Sequence, residues 1–150
     1  MEKILFFDLE ETLIRSWNNP LFCNTQFIME LVKKEGTNKV HMFSFAIIDD
    51  SDKKIFEERY KEHIEKHFGI EIMTWQSIDE IMKEVFQFNG IVFEKFEFTT
   101  MWGKLKAFHD FCRNKFENKE CILVDDVVPN SSFELPDKKL IIRTIKAPII

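Results

Sequence analysis

Several features are scarce in this chain of 150 residues, and each scarcity removes a class of protein. Cysteine occurs three times, at Cys23, Cys112 and Cys121, far apart and with no CxxC pair, so neither a disulfide framework nor a zinc knuckle is available. A reducing compartment fits that usage, and a cytoplasmic location is expected. Basic residues fall short of acidic ones, 21 Lys and Arg against 26 Asp and Glu for a net charge of −5, which argues against nucleic-acid binding through bulk charge. Tyrosine occurs once beside 17 phenylalanines, so the aromatic content is apolar ring suited to a core. No stretch approaches the roughly 20 apolar residues of a spanning helix, and the run Leu140, Ile141, Ile142 is interrupted by Arg143 and Lys146. The N-terminus is charged and then strand-like, without the apolar region or small-residue cleavage site of a signal peptide, so no membrane association is expected. Repeats, low-complexity stretches and linkers are missing too.

What is present is a hydrophobic fraction of 45%, enough for a packed core and too much for disorder. One domain over residues 1–150 is expected, since roughly 100–200 residues make a domain. Strand-like and helix-like blocks alternate, the pattern of an α/β fold with a mainly parallel sheet and helices on its faces. Ile4 to Phe7 reads as a central strand buried on both sides. A helix over about 24–34 carries Phe27, Ile28, Leu31 and Val32 on one stripe and closes at Gly36. A second strand is predicted over about 39–48. Ser51 or Asp52 can cap the following helix, which carries Ile55, Phe56, Tyr60, Ile64 and Phe68 up to Gly69. Then come a short extended piece over 70–73 and a helix over about 77–88 opened by the capping box Ser77 to Glu80. Asn89-Gly90 breaks the chain, and 91–98 reads as extended. A helix over about 101–116, a strand over 121–124 and a last strand over 140–145 complete the prediction.

Chemistry is expected where strands end, because ligands of open parallel sheets bind outside the carboxyl ends at a switch in strand order. The first strand delivers Asp8, the 121–124 strand delivers Asp125 and Asp126, and Val40 to Phe43 delivers Ser44. Carboxylates gathered at one rim repel each other unless a cation neutralises them. Oxygen-only ligands favour a hard ion such as Mg²⁺. Beside such an ion Asp8 can attack phosphorus as a nucleophile.

These residues also carry a family resemblance. Phe6-Phe7-Asp8-Leu9-Glu10-Glu11-Thr12-Leu13 resembles motif I of the haloacid dehalogenase-like (HAD) hydrolases, an apolar strand followed by D-x-D-G-T-L. Val40-His41-Met42-Phe43-Ser44 resembles motif II, Lys104 lies where motif III places its lysine, and Leu123-Val124-Asp125-Asp126 resembles motif IV. The resemblance implies a three-layer α/β/α Rossmannoid fold, with a small helical insert around 52–90 in place of a full cap domain. It also implies a Mg²⁺-dependent phosphatase acting through an aspartyl-phosphate. Asp8 is then nucleophile and metal ligand, and Glu10 is the general acid/base with its backbone carbonyl on the metal. Thr12 supports the motif I turn and the phosphate site, Ser44 and Lys104 bind the phosphoryl group, and Asp126 with Asp125 completes the metal shell. Asn130 is a candidate supporting group.

Two departures stand out: Glu10 where the family usually has Asp, and Glu11 where it usually has Gly. Glu10 keeps a titratable carboxyl but moves it by one methylene, against a proton-transfer reach of about 2.6–3.2 Å. Replacing Gly at position 11 removes a residue that takes positive φ freely. With little room for a cap, the expected substrate is an open-site phosphomonoester, small or macromolecular: a nucleotide, a nucleic-acid end or a phosphoprotein. The alternative is a catalytically retired domain that binds a partner or a phosphorylated ligand; a metal-dependent nuclease is a third reading.

Other groups have plainer readings. His63 and His67 stand four apart on a predicted helix but lack the H-E-x-x-H pattern and a third ligand, which suits a solvated face. Asp49, Asp50 and Asp52 suit a turn followed by a helix cap. Trp75 and Trp102 suit core packing, and Lys106 competes with Lys104 for the motif III position.

Overall fold

The computed structural model describes residues 1–86 and 94–148. A six-stranded sheet runs in the order β3-β2-β1-β4-β6-β5. Its strands are β1 (Glu2–Phe7), β2 (Lys39–Met42), β3 (Glu71–Trp75), β4 (Lys119–Asp125), β5 (Ser131–Leu135) and β6 (Leu140–Lys146). Every neighbouring pair is parallel except β5 with β6. The chain builds outward from β1 through β2 to β3, then returns to the other side of β1 with β4. The strand order therefore switches between β1 and β4, as the α/β expectation requires of a site at their carboxyl ends.

Alternation along β1 explains why its apolar run is continuous. Leu5 and Phe7 join a cluster with Ile28 and Leu31 of α1 (Thr25–Glu35) and with Ile64 and Phe68 of α3 (Lys61–Phe68). Phe6 joins a second cluster with Ile78, Ile81 and Val85 of α4 (Ile78–Phe86) and with Phe108 and Phe111 of α6 (Lys104–Lys115). β4 divides in the same way, Ile122 and Val124 to the first cluster, Cys121 and Leu123 to the second. The phenylalanine richness serves the second cluster: the Phe6 ring meets Phe108 edge-on at 5.2 Å and Phe43 edge-on at 6.4 Å. Trp75 and Trp102 pack against the two clusters, one on each.

Local signals account for several helix ends. Gly36 closes α1 at φ 77° with its N–H on the Val32 carbonyl. The capping box at α4 is reciprocal: Glu80 N–H donates to Ser77 Oγ at 3.2 Å and Ser77 N–H donates to Glu80 Oε1 at 3.1 Å. The cap of α2 (Asp50–Ile55) is Asp49 rather than Ser51 or Asp52, its Oδ1 accepting from Asp52 N–H at 3.1 Å. Between α2 and α3 the chain widens into a π-helical turn, Phe56–Tyr60. In the stretch around 52–90, where a small helical insert is expected, β3 pairs with β2 in the sheet and Phe56, Ile64, Phe68, Ile78 and Ile81 enter the two clusters. Residues 87–90, including Asn89-Gly90, lie outside the described residues.

Three further expectations change. The second strand stops at Met42 rather than near Ile48, because Ala46 N–H turns back onto Ser44 Oγ at 3.1 Å. The segment read as extended over 91–98 is extended at Glu94 and helical from Lys95, with a short α5 (Lys95–Glu97) running into a π-helical turn, Phe98–Trp102. There Thr99 and Thr100 hydroxyls bond the Phe96 carbonyl and Phe98 is fully buried; residues 91–93 lie outside the described residues. The helix predicted from 101 begins at Lys104, because Gly103 at φ 87°, ψ 159° interrupts the turn before it. β5 was not anticipated; it is a short antiparallel edge between Pro129 and Pro136 with only Leu135 and Phe133 as apolar signal.

Candidate functional site

Three strand ends are laced together by backbone hydrogen bonds. Asp8 N–H donates to the Val124 carbonyl at 3.0 Å, and Phe43 N–H to the Phe7 carbonyl at 2.9 Å. This brings the side chains that follow β1, β2 and β4 to one rim. Carboxylate oxygens of Asp8, Asp125 and Asp126 lie within 4.8 Å of one another. Lys104, first residue of α6, sends its Nζ between two of them, 2.9 Å from Asp8 Oδ1 and 2.8 Å from Asp125 Oδ2. Asp125 is fully buried and its Oδ1 accepts from Val127 N–H at 2.8 Å. The ammonium also lies 4.9 Å from the Phe45 ring centroid, a favourable cation–π distance. Together with Glu10 and Ser44 these groups line a cavity of about 390 Å³.

The electrostatics follow from burial with too few cations. Burial pushes the Asp8 carboxyl up to about 7; Lys104 opposes the rise, and Asp125 and Asp126 add to it. Asp126 is raised as well, by partial burial and the charge of Asp125. Burial works against the Lys104 ammonium, but Asp8 and Asp125 outweigh it and hold the group above the usual lysine range.

The turn after β1 is held without glycine. Leu13 and Ile14 N–H groups both reach back to the Leu9 carbonyl, at 3.0 and 3.1 Å, making a single helical turn. Glu11 inside it takes φ 60°, a left-handed conformation that glycine adopts at least cost. Asn24 Nδ2 donates to the Thr12 carbonyl at 3.0 Å and to the Glu11 carbonyl at 3.3 Å, clamping the turn. Isolated bridges then pair Ile14 with Glu10 and with Phe22, closing a short loop over the rim. On that loop Trp17 N–H donates to Glu10 Oε2 at 2.8 Å, while the Trp17 carbonyl accepts from Tyr60 Oη at 2.6 Å.

The residues singled out from sequence therefore meet, with two exceptions. Asp8, Glu10, Ser44, Lys104, Asp125 and Asp126 share one cavity. Thr12 does not line it: the residue is fully buried, and its backbone carbonyl serves the turn, so it supports the loop and does not reach a phosphate. Asn130 instead uses Oδ1 to accept from Lys146 N–H at 2.8 Å in the edge hairpin. Lys106 is exposed, pairing with Asp110 and lying over the Trp102 ring, which leaves the interior position to Lys104. His67 is not simply solvated: it bonds Thr25 Oγ1 at 2.8 Å and stacks on Phe22 at 3.9 Å. Asn24, Trp17 and Tyr60 were missed, since a clamp made across 12 or 43 residues leaves no local pattern.

As a metal site, the cluster offers carboxylate oxygens from three residues and no sulfur or imidazole, a donor set that fits a hard divalent cation. Fully ionised, three carboxylates against one ammonium would leave two negative charges uncompensated, which, with burial, is why Asp8 and Asp126 keep their protons to higher pH and why a divalent cation would suit the cluster. Comparison of the chain with family models, curated proteins and solved structures finds no match.

Proposed function

We propose that this protein is a Mg²⁺-dependent phosphohydrolase of the HAD type, with the three-layer α/β/α organisation of that family, acting on a phosphomonoester. The observation that carries the reading is the convergence of Asp8, Asp125, Asp126 and Lys104 at the switch point between β1 and β4. Asp8, Asp126 and Asp125, with the Glu10 backbone carbonyl, would hold the ion. Bound Mg²⁺ supplies charge neutralisation between carboxylates and phosphate. An Asp8 oxygen attacks phosphorus, the P–O bond to the leaving alcohol breaks, and Glu10 gives that oxygen its proton. A water molecule, deprotonated by Glu10, then attacks the phosphorus of the aspartyl-phosphate; inorganic phosphate leaves and the Asp8 carboxylate is restored. Lys104 offsets charge on the nucleophile and phosphoryl group, and Ser44 donates its hydroxyl to a phosphoryl oxygen. The Trp17 N–H on Glu10 Oε2 fixes where the longer Glu side chain presents its carboxyl.

Incubation with an aryl phosphate and a panel of phosphorylated small molecules, nucleotides and oligonucleotide ends tests this. Phosphate release that requires Mg²⁺ and falls at least about a thousandfold in Asp8→Asn is expected. No magnesium-dependent release on any of them, or full activity in Asp8→Asn, would sink it. A second reading, a retired domain that binds phosphorylated ligands, is favoured by the prior engagement of both reactive carboxylates, Glu10 by Trp17 and Asp8 by Lys104. It predicts no beryllofluoride adduct on Asp8, whereas the phosphohydrolase predicts one.

A further inference from the structure

A second cavity, of about 280 Å³, lies between the loop that follows β1 and the helical run through Tyr60 into α3. Its floor is apolar: Ile14 and Ile64 are each 1% exposed and Phe22 forms a wall. Tyr60, Arg59 and His63 complete it. The two aromatic walls are held in place by partners of their own, Phe22 by its stack on His67 at 3.9 Å and Tyr60 by Trp17 at 4.7 Å. Such preformed walls lower the ordering cost of binding.

Arg59 forms no ion pair among the described residues, although acidic Glu57, Glu58 and Glu62 share its helical run; Glu62 is taken by Lys66 at 2.9 Å. A guanidinium left unpaired at the mouth of an apolar pocket offers a planar fork of donors that matches a carboxylate. His63, one turn along, adds a second polar group on the same side. Size sets the rest: at about 280 Å³ the volume falls just under the roughly 300–1,000 Å³ of ligand pockets, room for one ring or a branched aliphatic chain. We propose that this cavity is a binding site for a small aromatic or branched aliphatic monocarboxylate, its apolar body between Phe22, Tyr60 and Ile64 and its carboxylate on Arg59. The site is separate from the acidic cavity and does not depend on the phosphohydrolase reading. It is physically joined to that cavity, because Tyr60 Oη holds the Trp17 carbonyl and Trp17 N–H holds Glu10. Occupancy at Tyr60 is therefore felt at the Trp17 amide.

Two-dimensional amide NMR with benzoate as probe tests the site on the intact chain. Saturable shifts are expected at Arg59, His63 and Ile64, together with a shift of the Trp17 amide. Arg59→Gln, an exposed position whose folding the spectrum itself verifies, should weaken benzoate at least about tenfold, the weight of a charge-assisted pair. Benzylamine, of the same shape and opposite charge, should not displace it. The proposal is overturned by no saturable shift, by shifts confined to residues around Asp8 and Lys104, by equal affinity for benzylamine, or by undiminished affinity in Arg59→Gln.

Discussion

Toward the amino end of the strands, Glu35 and Glu120 sit with Lys3 and Arg143; toward the carboxyl end, Asp8, Asp125 and Asp126 sit with Lys104 alone. In the first group the Glu35 side chain is 2% exposed, with Lys3 Nζ at 2.9 Å and Arg143 Nη1 at 3.2 Å, and Arg143 also reaches Glu120 at 3.0 Å. Two carboxylates meet two cations. Burial opposes ionisation of Glu35, but hydrogen bonds from Lys3 and Arg143 prevail and hold its carboxyl below the usual range. In the second group burial prevails and Asp8 rises to about 7. The contrast separates a completed structural network from an incomplete one: the first closes its charge internally, whereas the second leaves a deficit that a divalent cation would fill.

The strongest way to break the comparison is to remove the shared cation at the carboxyl end. Lys104→Met leaves Asp8 and Asp125 buried without their shared cation and should cost about 3–5 kcal/mol in urea unfolding at neutral pH without metal. Mg²⁺ should stabilise the unaltered protein, by about 2.7 kcal/mol at a hundredfold excess over its dissociation constant. Asp126→Asn should lose most of that gain, and thermal melts with and without the ion read it directly. At the amino end Glu35→Gln should cost about 1–2 kcal/mol, because its cations remain partly solvated, and Mg²⁺ should not restore it.

The two ends should also respond oppositely to pH. Asp8 has a folded-state pKa above its unfolded value of about 3.8, so its contribution is fully present below pH about 4 and is lost as pH rises toward 7. Glu35 has a lowered folded-state pKa, so its contribution is present above pH about 4.5 and lost on acidification. The metal-free stability profile of Asp8→Asn should flatten between about pH 4 and 7, and that of Glu35→Gln below about pH 4.5. The smallest test concerns backbone strain. The amino end uses Gly36 at φ 77°, with nothing within 4 Å of an added Cβ, while the carboxyl end uses Glu11 at φ 60°. Gly36→Ala should cost about 1 kcal/mol and Glu11→Gly should gain roughly 0.5 kcal/mol, both measurable by denaturant midpoint.

Much of this arrangement was legible in advance, for identifiable reasons. Apolar runs such as Ile4 to Phe7 and Ile122 to Val124 mark doubly buried strands, and the residues immediately after them inherit the rim, so Asp8, Ser44, Asp125 and Asp126 could be placed without a structure. The capping box at Ser77 and the C′ glycine at Gly36 are local chemistry and were equally readable. The π-helical turns at Phe56–Tyr60 and Phe98–Trp102 were not, since they answer to the packing of Phe56 and Phe98 rather than to any propensity. Glu10's partner, Trp17, was equally invisible because the loop between them follows no regular pattern, and the hold of Tyr60 on Trp17 because it joins that loop to a distant helical turn.

The amino-acid sequence by itself determined the alternation of strands and helices, the acidic strand ends and the identity of the groups available for chemistry. These follow from periodicity and from short-range hydrogen bonding, both written into neighbouring residues. Only the tertiary structure decided that Lys104 rather than Lys106 enters the rim, that Thr12 is buried away from it, and that one charged cluster closes its balance while the other does not. Those outcomes depend on which side chains share a low-dielectric space, and that is set by how the strands are ordered across the sheet.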